Sequence, residues 1–274
     1  MFDLPESALP YGFAKGPGGT HTSRTIMLDE LRLLLAACPA SAGYADYRRA
    51  VADDNAIRKD SYSGRVRSLR GLRELYGLDR NLVLFRALRD LWDADAQAQP
   101  LLAFCCAAAR DPLLRQTADF LLALPCGQPA TPQMFYKVIA EARPDHYSAK
   151  TLLSLGQNLA SSWQQAGHLA GKRSKTRASA QCRPTAAAYA LLLGYLCGGR
   201  GEALFDTLWV RLLDAPAHTL HDQAFLASQQ GWLEYRQTGM VTEVAFQHLL
   251  RGADEFRTTK AKAHTKGTID HGAH

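Results

Sequence analysis

The sequence predicts a mainly α protein, a helical bundle that carries a winged helix-turn-helix and a C-terminal β-hairpin. Three observations point there. Leu and Ala dominate the 274 residues while Val and Ile are scarce, a balance that favours helices over sheets. Apolar residues recur at three- and four-residue spacing between Pro and Gly stops. One stretch, 148–183, reads as a polar-faced helix followed by a short strand, a basic turn and a returning strand. The length suffices for two domains or one large one, each with its own core.

In chain order, residues 1–24 are rich in Gly and Pro and predict a flexible arm, with Lys15, His21 and Arg24 as minor candidates for trailing along a DNA groove. The loop 15–20 lacks the terminal Lys-Ser/Thr and the preceding strand of a phosphate-cradling Walker loop. A helical domain is expected over 25–110. Its first helix aligns Leu28, Leu31, Leu34 and Leu35 and stops at Cys38-Pro39, and a short second one places Tyr44, Tyr47 and Val51 together. The segment 61–76 sets Val66, Leu69, Leu72, Leu75 and Tyr76 on a core stripe and Arg65, Arg67, Arg70 and Arg73 around it. Such a helix either pairs its arginines with acids such as Asp53, Asp54 and Asp79 or contacts phosphates, which positions a protein without selecting sequence. Helices over 81–94 and 101–109 complete this region.

Residues 111–184 are the expected nucleic-acid-binding region. Asp111-Pro112 and Thr131-Pro132 are both N-cap and first-position signals, and they start helices over 112–124 and 132–142. Ser148 caps a third, whose stripe of Leu152, Leu153, Leu155, Leu159, Ser162 and Trp163 is expected to face inward. Its other face offers Lys150, Gln157, Asn158, Ser161 and Gln164, and amide side chains can pair in two directions with adenine's edge. After Gly167 a two-stranded wing follows, with Lys172, Arg173, Lys175 and Arg177 around its turn and Arg183 beyond it. From 147 to 201 there is no Asp or Glu, although Lys150, Lys172, Arg173, Lys175, Arg177, Arg183 and Arg200 all lie there. A solvated surface ordinarily mixes both signs, so the acid-free stretch points to a polyanion. The order helix, helix, reading helix, wing is that of a winged helix-turn-helix, whose third helix enters the major groove.

Residues 185–251 form the expected C-terminal helical and hairpin region, with helices over 185–196, 202–214 and 218–230. Segments 232–236 and 241–246 flank Thr238-Gly239 as a hairpin, whose Glu234 and Glu243 suit protein contact. The tail 252–274 has too few apolar groups to fold and is expected to be disordered.

The chain is expected not to be an enzyme and to need no cofactor or metal. Acids are mostly single helix-surface residues, and neither Gly-x-Ser-x-Gly nor His-Glu-x-x-His occurs. His218 and His221 share a helix face beside Asp222, and Asp53 adjoins Asp54, but both groups read as solvated side chains. The cysteines at 38, 105, 106, 126, 182 and 197 lack metal spacing and read as buried thiols. No apolar run reaches the length of a membrane span, and the acidic N-terminus is unlike a signal peptide, so a cytoplasmic protein without a membrane partner is expected.

With these residues in view, the chain resembles the BrxA-like accessory proteins of BREX phage-exclusion systems. The resemblance runs over about 28–213 and rests on Asn55 ahead of 61–76, on 85–92, on Ser162-Trp163 and on the basic turn 172–177. It implies a DNA-binding, non-catalytic component of phage (antiviral) defence acting beside a methyltransferase and an ATPase. No contact residue is carried over from it. The expected ligand is double-stranded DNA, held chiefly through phosphate. The alternative is a protein-interaction scaffold that docks on other defence-system proteins. RNA ranks third, because the basic stretch lacks an exposed aromatic platform.

Overall fold

Helix-forming segments separated by turns dominate the fold, as the Leu and Ala content requires. The computed structural model describes residues 3–16, 18–239 and 241–251. After a 3-10 turn over Glu6–Tyr11 and another over Thr20–Thr22 come α1 (Leu28–Ala37), α2 (Tyr44–Ala52), α3 (Tyr62–Tyr76), α4 (Val83–Trp92) and α5 (Gln99–Arg110). Next are α6 (Pro112–Gln116), α7 (Ala118–Ala123), α8 (Pro132–Ala142) and α9 (Ala149–Gln165), then strands β1 (Leu169–Ala170) and β2 (Thr176–Arg177). α10 (Pro184–Leu196), a 3-10 turn over Gly201–Leu204, α11 (Leu208–Arg211), α12 (Ala217–Gln229), the hairpin β3 (Glu234–Thr238) and β4 (Val241–Ala245), and α13 (Gln247–Leu250) follow. Both strand pairs are antiparallel.

The apolar stripes meet in one cluster that runs from Leu4 to Leu249 with no break near the expected boundaries at 110 and 184. At its centre lie α5 and α10, which are buried nearly all round and pack on each other. Cys105 and Cys106 sit there fully buried, and burial pushes their thiols up, to about 12 for Cys106. Among the described residues no helix is long and apolar enough to cross a membrane.

Several expectations are corrected. The N-terminal segment is no loose arm: Leu4, Ala8, Phe13 and His21 are buried in the common core. The helix expected over 112–124 is two short ones. Thr117, between them, donates its hydroxyl to the Leu114 carbonyl (2.9 Å) and accepts from the Trp163 indole (2.8 Å), so its side chain competes with the helical ladder. The helix expected over 202–214 breaks likewise, because Thr207 adopts an extended backbone and bonds back to the Leu204 carbonyl. Val66 and Leu153 lie outside the core at 41% and 47% exposure, and Cys126 is exposed. The tail 252–274 lies outside the described residues.

Candidate nucleic-acid interface

The site expected around α9 begins with its cap. Ser148 Oγ accepts from the Thr151 N–H (3.2 Å) and fixes the first turn. Gly156 lets α8 approach closely, since a Cβ there would lie 2.3 Å from the Pro132 carbonyl oxygen. With Leu155, Leu159, Ser162 and Trp163 buried, Lys150 and Gln157 are left exposed and Ser161 half-exposed.

Three chain segments come together beyond α9. Leu169 pairs with Arg177 and Ala170 with Thr176, and Pro129 bridges to Thr176 from the other side. Backbone bonds from Gly127 N to Arg177 O (2.8 Å), Arg177 N to Gln128 O (2.8 Å) and Ala130 N to Lys175 O (2.9 Å) join the segment ahead of α8 to β2. The turn between β1 and β2 presents Lys172 and Arg173 to solvent, with Lys175 half-exposed. Lys150, Lys172, Arg173 and Lys175 make no ion pair among the described residues.

Other residues expected to bind are otherwise engaged. Arg177 is 4% exposed. It grips Asp214 with two bonds, Nη1 to Oδ2 (2.8 Å) and Nη2 to Oδ1 (2.5 Å), and donates from Nε to the Leu121 carbonyl (3.1 Å). It is therefore no phosphate ligand. It sits in β2 rather than in the turn, and the strand points its side chain inward. Arg183 pairs with Asp95, Asn158 donates to the His21 carbonyl (3.0 Å), and Gln164 donates to the Gly171 carbonyl (2.7 Å), tying the turn back to α9. Burial opposes ionisation of Asp214, but the Arg177 guanidinium and the Ala180 N–H outweigh it and hold the carboxyl below its ordinary range. Beside this pair, burial drives the His168 ring down, with its Nε2 2.9 Å from the Leu212 carbonyl oxygen.

His21, Asp111 and Ser162, which lie far apart along the chain, meet in one buried group. His21 Nδ1 lies 2.7 Å from Asp111 Oδ2, and Nε2 lies 2.8 Å from Ser162 Oγ. The order resembles a hydrolytic triad, but all three side chains are buried. Ser162 Oγ also accepts from the Ile26 N–H (3.0 Å) and donates to the Asn158 carbonyl (2.8 Å), so no face of it is open to an acyl group. The trio fastens the N-terminal segment to α9. Burial opposes ionisation of Asp111, yet the His21 ring and the backbone N–H groups of His21 and Leu113 keep its pKa below the usual value.

The fastened segment lies between α9 and α3. Gly71 on α3 makes room for it: a Cβ there would stand 3.1 Å from Met27 Sδ and 3.8 Å from Arg24 Cγ. Arg67 is exposed, Arg70 pairs with Glu74 (2.9 Å), Arg73 stacks 4.3 Å from the Tyr44 ring centre, and Arg65 lies 5.5 Å from that of Tyr62. Among the described residues none of them pairs with the carboxylates of Asp53, Asp54 or Asp79; Arg65 reaches only the Asp53 carbonyl (3.4 Å). His221 stacks on Phe205 and bonds to Tyr235 and Glu202, and no cluster of three metal-ligating side chains occurs among the described residues.

No protein-family model matches the chain, and no curated protein matches it in sequence.

Proposed function

We propose that the chain is a non-catalytic nucleic-acid-binding protein that holds duplex DNA through a winged helix built from α8, α9 and the β1–β2 turn. The observation that carries the reading is the strand arrangement: the segment before α8 pairs with β2, and β2 pairs with β1 directly after α9. A helix pair followed by a hairpin on such a small sheet supports a winged-helix reading, in which the second helix of the pair enters the groove and the turn rests on phosphate. Gln157 and Ser161 then face base edges, while Lys150, Lys172, Arg173 and Lys175 meet phosphates. On the resemblance to the BrxA-like proteins, this binding serves an accessory role in phage defence.

Neutralising about four phosphates gives a slope of roughly −3.6 for log affinity against log salt. Fluorescence anisotropy of a labelled duplex across a salt series reads that slope, and a flat response contradicts the proposal.

A second reading, a scaffold for a protein partner, is favoured by one observation at the other end of the chain. Phe225 and Leu226 on α12 and Val241 on β4 are 52%, 43% and 62% exposed. Heparin displaces a duplex from a phosphate-binding surface but leaves a partner on these apolar side chains in place.

A further inference from the structure

The outer face of α3 carries two adjoining concavities that share Arg70. One, of about 760 Å³, lies between α3 and the fastened N-terminal segment and is lined by Arg24, Arg67, Arg70, Arg110 and Glu74 with Thr20, Thr22 and Ser23. Four guanidinium groups there face one carboxylate, and that carboxylate is already taken by Arg70 (2.9 Å) and the Thr20 hydroxyl (3.1 Å). Arg110 is held by the Glu74 and Gly12 carbonyls, so Arg24 and Arg67 are the cations left to meet an incoming anion. No aromatic side chain lines this cleft. It suits phosphate oxygens and offers a base nothing to stack on.

The second, of about 250 Å³, lies between α2 and α3 and supplies what the first lacks. Tyr44, Tyr62, Val66, Arg48 and Arg73 line it. Tyr62 is 55% exposed, and the Arg73 guanidinium already lies 4.3 Å from the Tyr44 ring centre. Tyr62, Val66 and Arg70 follow one another at four-residue intervals, so an aromatic ring, an apolar step and a cation share one face over about 12 Å of helix. Rings beside a cationic groove bind unpaired strands: bases stack on the rings and the backbone follows the charge. A duplex keeps its bases stacked inside and cannot use Tyr62.

We propose that the α3 face is a second nucleic-acid site, selective for a single strand, with Tyr62 stacking a base and Arg67 and Arg24 holding the flanking phosphates. The site does not depend on the duplex reading of α9 and the β1–β2 turn.

The test is anisotropy of labelled oligothymidylate and oligouridylate of about twelve nucleotides, a length within the range such grooves cover. Variants Tyr62→Ala, Tyr62→Phe, Arg67→Ala and the Lys172, Arg173, Lys175 triple Ala variant accompany the wild type. Tyr62→Ala is expected to weaken the strand about tenfold, Tyr62→Phe to retain it, and Arg67→Ala to flatten the salt slope by about 0.7. The triple variant should bind the strand as the wild type does, whatever it does to a duplex. Tighter binding of one oligonucleotide identifies the strand as DNA or RNA. A wild type that ignores both, or a Tyr62→Ala variant that binds both as before, overturns the proposal. A wild type that binds the strand but no duplex counts against the other site only.

Discussion

The two basic regions look alike in the sequence and use their charge differently. Around the β1–β2 hairpin the local chain has no acid, yet Arg177 and Arg183 are neutralised by Asp214 and Asp95, each from a distant segment. On α3, with Glu74 in its own last turn, Arg67 stays exposed and Arg65 and Arg73 lie against tyrosine rings. An acid-free stretch therefore does not guarantee free cations. Position within the local structure decides: in the turn the side chains reach solvent, whereas one in the strand is drawn into the core and must find a partner there.

The largest test of that distinction is Arg177→Ala. It leaves Asp214 half-buried without its guanidinium and should cost about 3–5 kcal/mol, read as a lower denaturant midpoint. The triple Ala variant of Lys172, Arg173 and Lys175 should unfold at the wild-type midpoint. Equal midpoints for the two variants would erase the difference between turn and strand.

The next effect concerns the buried fasteners. Ser162→Ala takes a hydrogen-bond partner from both the His21 ring and the Ile26 N–H, at a cost of about 1–3 kcal/mol. Because Thr20 and Arg24 belong to the segment so fastened, the variant should also weaken oligonucleotide binding at α3 before it affects duplex binding at the hairpin.

Acid should act on the hairpin base and the fastener rather than on α3. The His168 pKa is lowered in the folded state, so below about pH 6.5 the unfolded chain takes up a proton that the native chain refuses. Its stabilising contribution is complete above that pH and declines as pH falls. The lowered carboxyls of Asp111 and Asp214 act in the same direction at lower pH, contributing above about pH 3.9 and failing as pH drops through their folded values. Thermal unfolding at stepped pH should show a midpoint that falls steadily below about pH 6.5; a midpoint unchanged down to pH 5 would contradict this assignment. The smallest effect is that of Arg70→Ala, whose exposed pairing with Glu74 is worth about 0.3–0.5 kcal/mol and should scarcely move the midpoint.

Much of this architecture was legible in the residues. Ser148 caps the helix it was expected to cap, and the Leu stripe of 69, 72 and 75 is buried. Both hairpins form where Gly-containing turns separate short segments. What the sequence could not show is pairing across distance. Asp111 reads as a helix cap and is one, accepting from the Leu113 N–H (2.9 Å), but nothing local shows that the same carboxylate also holds His21. Period and charge likewise place Tyr62 at the start of a basic helix, whereas its exposure beside Tyr44 depends on how α2 packs against α3.

In the proposed function the β1–β2 turn holds duplex phosphate through Lys172, Arg173 and Lys175. Anisotropy of a labelled duplex over a salt series, with the wild type and the triple Ala variant side by side, tests it most directly. The variant should bind every duplex sequence more weakly, with a salt slope shallower by about 2.7. A variant that keeps the wild-type affinity and slope would contradict it.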